Sequence, residues 1–318
     1  MKQSSPQNYN AMPEAAAAFE LTIPVDCAGL RLDQALARLL PDLSRSRLAH
    51  WVNEHQVTLN GVCTVPRHKV WGGERVNIAP TPDPAGLAPQ AEHLPLEVMF
   101  EDDTLLVVNK PPGLVVHPGS GNWRGTLLNA LLAHAPQLAQ LPRAGIVHRL
   151  DKDTSGLLVI AKTLAAHTDL VRQLQARSVK RIYLAVVHGR VTRSGRIEAP
   201  IGRHPTRRTR MAVIARGKPA VTHYEVIAHL AQATLLRCRL ESGRTHQIRV
   251  HLHSIGHPLV GDPVYGARRS AGGVSFNRQA LHAERLELTH PATRDVVAWH
   301  VEPPPDMLRL TAALKAAC

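Results

Sequence analysis

Ile146-Val147-His148-Arg149-Leu150-Asp151-Lys152-Asp153-Thr154-Ser155-Gly156 runs directly into Leu157-Leu158-Val159-Ile160-Ala161. The apolar flanks on both sides read as buried strand, and the middle crowds His148, Arg149, Asp151, Lys152 and Asp153 into a turn closed by Ser155-Gly156. A turn held between two core segments is rigid, and rigid turns are where catalytic groups are placed. Without further context, Asp151 or Asp153 simply satisfies its own turn amides, as Asp does in most turns.

Working outward, length and charge set the frame. The 318 residues exceed one typical domain, so two are expected, and a 44% hydrophobic content supplies a large core. Lys and Arg total 38 against 25 Asp and Glu, a net charge of +13 with a pI near 10.3, which points to a polyanionic partner. Nucleic acid and an acidic membrane surface both fit that charge. No apolar run approaches the roughly 18 residues of a spanning helix, so no membrane partner is expected. Only 3% of residues are aromatic, which disfavours a platform of successive stacked bases and favours recognition through phosphates and shape. Cys27, Cys63, Cys238 and Cys318 are scattered without metal-ligand spacing and read as reduced thiols of a cytoplasmic protein. Residues 1–19 lack the charged start and long apolar segment of a signal peptide and read as a disordered tail.

Residues 20–79 read as a small domain. Leu21-Thr22-Ile23 is a short strand, and Leu32, Ala35, Leu36 and Leu39 form the stripe of an amphipathic helix that Pro41 ends. Ser44 is placed to cap a second helix, with Leu48, Trp51 and Val52 inward and Arg45 and Arg47 in its first turn, pointing out. Cations there oppose the helix dipole, so a phosphate between them would relieve both. Val57-Thr58-Leu59 before Asn60-Gly61 predicts a hairpin, and Glu74 to Ile78 closes the unit. Two helices with a basic first turn, followed by a hairpin, resemble the S4 RNA-binding domain; the plainer alternative is a helical cap with solvated arginines. Residues 80–93, with Pro80, Pro82, Pro84 and Pro89, form a semi-extended linker.

From 94 to 318, short strands mix with a few helices. Strands are expected at 105–108, 181–187, 221–228, 235–240, 281–288 and 296–301, with Pro111-Pro112-Gly113 turning the first into Leu114-Val115-Val116. Helices are expected at 127–135 behind Thr126, at 165–175, at 306–317, and after Gly243 with Ile248, Leu252 and Ile255 on one face. Such a run predicts an α+β fold with a mostly antiparallel sheet. Ser270 to Asn277, rich in Gly and Ser, reads as a mobile loop.

The segment His148 to Gly156 resembles the signature of the RluA family of pseudouridine synthases. Four further stretches agree in order: Asn109-Lys110-Pro111-Pro112-Gly113 with Val116-His117-Pro118, Arg181 to Val186, Gly243 to His251, and His257 to Gly266. Pro142-Arg143-Ala144-Gly145 before the signature, with His204 to Thr209 and Gly217 to Tyr224 after it, bring the likeness nearest to members that act on large-subunit rRNA. The resemblance implies the pseudouridine synthase fold, with a mixed sheet and a cleft along it, behind an S4-like domain. It also implies isomerisation of uridines in 23S rRNA, in the loop of helix 69, on free rRNA or a large-subunit precursor particle, by a monomer needing no cofactor or metal.

Breaking the bond from N1 to C1′, turning the base and joining C5 to C1′ requires a carboxylate near the sugar, a base for the C5 proton and a pocket that excludes water. The resemblance gives the first role to Asp151 and the second to Tyr183, set against the flipped uracil. It makes Arg249 the partner that keeps Asp151 ionised, and Arg149, adjacent to Leu150-Asp151, is expected to fill the gap left in the RNA stem by the departing uridine. On strand preference alone Tyr183 is a core aromatic. Arg249, one residue past Ile248, borders the buried face of its helix without belonging to it, or is solvated. Arg203, Arg207 and Arg208, together with Arg244, are expected to clamp the RNA backbone.

Other chemistries stay open on the residues alone. Asp151 and Asp153 would share a face on a strand, as in a two-carboxylate glycosidase or N-glycosylase or an Asp-x-Asp magnesium site. His282-Ala283-Glu284 matches half of a zinc deaminase signature, but only Cys318 follows it. His251 and His253 are poorly spaced for one metal on a helix. A ribosome-assembly factor that binds rRNA without catalysis is the rival of another class, and Asp151, Tyr183 and Arg249 together argue against it.

Overall fold

A hairpin and two amphipathic helices build the first of the two compact units into which the chain divides, Met1–Ala88 and Pro89–Cys318. The computed structural model describes residues 18–41, 43, 45–79, 89–119, 122–207, 210–266 and 271–317. Most of the expected tail and linker, Ser44, Arg208 and Ser270 lie outside the described residues, as does the side chain of Arg47. In the first unit the order is β1 (Phe19–Thr22), α1 (Leu32–Leu39), α2 (Arg45–Asn53), β2 (Val57–Leu59), β3 (Val62–Cys63) and β4 (Arg75–Ile78). The strands pair antiparallel in the order β1-β4-β2-β3. Asn60 and Gly61 both take positive φ, 50° and 81°, which closes the β2–β3 turn as that dipeptide predicts. Leu32 and Leu36 of α1 meet Leu48 and Val52 of α2 over Val57 and Val76, so the helical stripes read from sequence are the core.

In the second unit the elements are β5 (Glu97–Glu101), β6 (Leu105–Lys110), α3 (Leu127–His134), β7 (Ser155–Ala161), α4 (Leu164–Gln175), β8 (Lys180–His188), β9 (Gly195–Glu198), β10 (Ile201–Arg203) and β11 (Met211–Val213). They continue with β12 (Val221–Leu230), β13 (Ala233–Leu240), α5 (Gln247–Ser254), β14 (Leu281–Thr289), β15 (Val296–His300) and α6 (Pro305–Ala316). Among the described residues nine strands form one sheet, ordered β5-β6-β7-β14-β8-β13-β12-β9, with β15 on the edge of β14. Its β7–β14 pair is parallel and its other pairs are antiparallel, the mixed sheet expected.

The apolar runs of β6 and β7 do not alternate because both faces are covered. Leu106, Val108, Leu158 and Ile160 face α3, while Leu105, Val107, Leu157 and Val159 face α4. Met307, Leu310 and Leu314 of α6 cover Val186 and Leu230, and Ala271 is buried in the same cluster. That anchored Ala271, bridged to Val274, does not fit the mobile loop expected there. The basic stretch after Ile201 is also more ordered than a loop: β10 and β11 pair as a short two-stranded ribbon.

Candidate active site

The turn that carries Asp151 is pinned through its own carbonyls. Asp151 O accepts from Thr154 N at 3.1 Å, and Lys152 O accepts from Gly113 N at 2.9 Å and Lys110 Nζ at 2.8 Å. Asp153 O accepts from Arg278 Nη1 at 3.0 Å. Lys110 is 1% exposed and also donates to Pro111 O and Leu114 O, so one ammonium ties the 111–114 turn to the 151–154 turn. Burial pushes Lys110 down to about 7, against the charges of Asp153 and Asp151. Only the downstream flank is strand. Upstream, Arg143, Ala144 and Gly145 take successive positive φ values and Ile146 meets Ile160 through a single bridge, which corrects the expectation of strand on both sides. Because Asp151 and Asp153 lie in a turn, the shared strand face required by the two-carboxylate readings does not form.

A single cross-strand row fixes what surrounds this turn. Lys110 pairs with Gly156, Gly156 with Ala283, Ala283 with Tyr183 and Tyr183 with Cys238. Gly156 has φ 113°, and a Cβ there would come within 2.3 Å of Ala283 O, so only glycine lets β7 enter the sheet directly behind Asp151. Tyr183 is 5% exposed and belongs to the core cluster, yet it also lines the cleft. Burial raises its pKa, the Arg181 charge opposes that, and Asp151 adds to it.

Arg249, on α5, is held on two sides. Its Nη1 donates to Asp151 Oδ2 at 2.9 Å, while Nε and Nη2 donate to the two oxygens of Asp262 at 2.7 and 2.8 Å. At 4% exposure it is neither solvated nor at the border of a buried face. Burial works against its charge, but hydrogen bonds and charges from Asp262 and Asp151 outweigh it and raise its pKa. The Asp262 carboxyl, raised by burial, is lowered more strongly by Arg249 and by the amides of Val264 and Tyr265. The guanidinium also lies 5.2 Å from the ring centre of Tyr265.

His246 sets the other side of Asp151, with Nε2 3.9 Å from Oδ1. It sits in the left-handed region at the start of α5. Its Nδ1 lies 2.9 Å from the Tyr265 hydroxyl, which already accepts from Met211 N. A hydroxyl proton given to Nδ1 leaves the Nε2–H facing the carboxylate, the favourable tautomer. Burial lowers the His246 pKa, with Asp151 acting against it. Gln247 holds the turn before α5 through four hydrogen bonds, to Ser242, Arg244, Val221 and Thr222.

These groups open onto a cleft of about 980 Å³ within the second unit. Arg143, Arg149, Arg177, Arg181, Arg244 and Arg249 line it, against the carboxylates of Asp151 and Glu241. The structure therefore brings together Asp151, Tyr183, Arg249, Arg149 and Arg244 from the residues singled out in the sequence. Arg203 and exposed Arg207 lie instead on the β10–β11 ribbon, at the end of β10 and in the stretch that joins the two strands. Arg45, expected to point away, reaches Asp33 Oδ2 with Nε at 3.0 Å and Nη2 at 2.8 Å, though its side chain stays 47% exposed.

The sequence profile of the family described as RNA pseudouridylate synthase matches residues 104–254, which contain Asp151, Tyr183 and Arg249. A protein of Nitrosomonas europaea named ribosomal large subunit pseudouridine synthase D is 55% identical over 97% of this chain and 94% of its own length. The chain belongs to the RNA pseudouridylate synthase family. The enzyme is also 52% identical to the Escherichia coli K12 protein of the same name, over 93% of this chain and 94% of that one. A solved structure of human RNA pseudouridylate synthase domain containing 1 superposes with a TM-score of 0.56 at 29% identity, covering 71% of this chain and 90% of that one. The fold and the isomerase class expected from the sequence therefore stand.

Several groups of this site carried no role in the sequence reading. Asp262, His246 and Tyr265 lay inside quoted motifs but nothing marked them as neighbours of Asp151. For Asp262 a signal existed: an Asp between Gly261 and Pro263, followed by free amides, is a turn former whose carboxylate needs partners. Lys110 and Arg181 gave none, because a buried cation cannot be told from a surface one by its neighbours in the chain.

Proposed function

We propose that this enzyme isomerises uridines of 23S rRNA, in the loop of helix 69, with Asp151 acting at the sugar of a uridine flipped into the cleft. The observation that carries the reading is the Asp151–Arg249–Asp262 chain at the floor of an arginine-lined cleft. Asp262 and its amides fix Arg249, and Arg249 fixes the carboxylate oxygen that would face C1′ and C2′. Tyr183 lies against the uracil and serves as the base for the C5 proton. Arg149, exposed at the cleft and adjacent to Leu150-Asp151, fills the place the base vacates. The atoms of uridine are all retained: the N1–C1′ bond breaks, C5 bonds to C1′, C5 loses its proton and N1 gains one. The names of the relatives, which specify the ribosomal large subunit, support the choice of rRNA.

The first unit would add affinity rather than chemistry. It serves as an S4-like RNA-binding domain whose phosphate contacts include Arg45 and Arg47, and Arg203, Arg207, Arg208 and Arg244 are the backbone contacts of the second unit.

The test is tritium release from large-subunit rRNA labelled at uridine C5, with a chelator present. The native enzyme should release tritium, and Asp151→Asn should lose on the order of 10³-fold or more in rate, the upper range for a positioned acid or base. If neither protein releases tritium from naked rRNA or precursor particles while both bind, the chain acts as an assembly factor and the proposal falls.

A further inference from the structure

Arg249, Arg278 and Arg181 are all buried arginines of the second unit, and two of them hold carboxylates: Arg249 binds Asp151 and Asp262, and Arg278 binds Asp306. Arg181 is 7% exposed, and among the described residues no carboxylate pairs with it. Its Nε is buried without a hydrogen-bond partner. The place it occupies is built for it. On β8 it lies between Leu240 and Leu286, two residues before Tyr183 and so on the same face. Its guanidinium rests against the bare backbone of Gly243, where a Cβ would approach Nη1 to 2.6 Å. It lines the same cleft as Asp151 and Tyr183.

A buried cation without a partner is unfavourable, and it persists where a ligand brings the missing anion. RNA supplies one kind of anion, the phosphodiester, whose paired oxygens match the fork of a guanidinium. A neutral uracil carbonyl would leave the charge uncompensated. We propose that Arg181 binds a phosphodiester oxygen flanking the uridine being isomerised, a phosphate subsite inside the catalytic cleft rather than on its rim. Residues two apart on a strand are separated by about 7 Å, a span that one ribose bridges between a base on Tyr183 and its phosphate on Arg181. Arg181 thus positions the nucleotide, and it rests on the RNA-isomerase reading above.

The experiment is phosphate-ethylation interference on large-subunit rRNA, scored by pseudouridine formation. With native enzyme, ethylation of a phosphate directly flanking the modified uridine should block the reaction. Arg181→Gln should lower kcat/KM about tenfold or more, the scale of one charge-assisted hydrogen bond. It should become indifferent to that ethylation, with a salt dependence of binding shallower by about one phosphate. Its melting temperature should equal or exceed that of the native enzyme, because the change removes an unpaired buried charge, and Arg181→Lys should keep the ethylation sensitivity. Native enzyme indifferent to ethylation on both sides of the uridine overturns the proposal without any variant, and so does Arg181→Gln that remains fully sensitive. Native enzyme that makes no pseudouridine overturns the functional reading instead.

Discussion

The two units solve the same electrostatic problem with opposite signs. In the first, one buried carboxylate, Asp33 at 4% exposure, is gripped by the half-exposed Arg31 and Arg45. In the second, one buried guanidinium, Arg249, is gripped by Asp151 and Asp262. The first cluster leaves a surplus positive charge at the surface. The second leaves a surplus negative charge, and it sits on the carboxylate that faces the cleft. Burial of the central group makes the grip directional: the outer groups cannot swing away without stranding a charge in a low dielectric. In the first unit that rigidity organises a surface, while in the second it aims one oxygen.

The sharpest way to break this comparison is to remove the central group of the second cluster. Arg249→Met strands Asp262, whose side chain has no exposed area, and should cost about 3–5 kcal/mol of stability together with activity. Urea unfolding measures it, and a loss under about 1 kcal/mol would mean the grip is not structural.

A pH series gives the next largest effect. Burial, helped by the charge of Arg181, pushes His148 down to about 3, while its Nε2 accepts the amide of Val159. Above pH 6.5 the ring is neutral in both folded and unfolded chains and its contribution is complete. As pH falls from 6.5 toward 3 the unfolded chain binds a proton that the folded one refuses, so stability drops by about 1.4 kcal/mol per unit, or about 2 kcal/mol by pH 5. His148→Gln should flatten that acid slope in the second unit; an unchanged slope would assign it to other groups.

The smallest effect belongs to the first cluster. Arg45→Ala leaves Asp33 with Arg31, so stability should change by no more than about 1 kcal/mol. The rRNA-binding salt slope should fall by about one phosphate. A large stability loss with an unchanged slope would make Arg45 a structural clamp and nothing more.

What the sequence revealed follows the range of the forces involved. The Asn60-Gly61 turn, the Thr126 cap and the stripes of α1 and α2 are set within a few residues, and each was legible. Asn129 N donates to Thr126 Oγ1 at 3.4 Å, and Leu48, Trp51 and Val52 are buried as their spacing required. Ile146-Val147 misled because an apolar pair reads as strand, whereas Arg143 and Ala144 turn left-handed just before it. The β10–β11 ribbon was hidden because its three-residue strands are too short to show alternation. In the site, Asp151, Tyr183 and Arg249 came from a motif, but the buried Arg249 is paired with Asp262, and Arg181 is seated against Gly243. Such pairings are written in three dimensions only.

The parallel pairing of β7 with β14 carries a consequence for the birth of the enzyme. Ser155 and Gly156, directly behind Asp151, find their partners His282 and Ala283 more than a hundred residues later. A nascent chain can close the local β6–β7 pair early, but the far wall of the turn does not exist until those residues have left the ribosome, and long-range pairings of this kind form late. The wall behind Asp151 is thus completed only by residues that are made late in the chain.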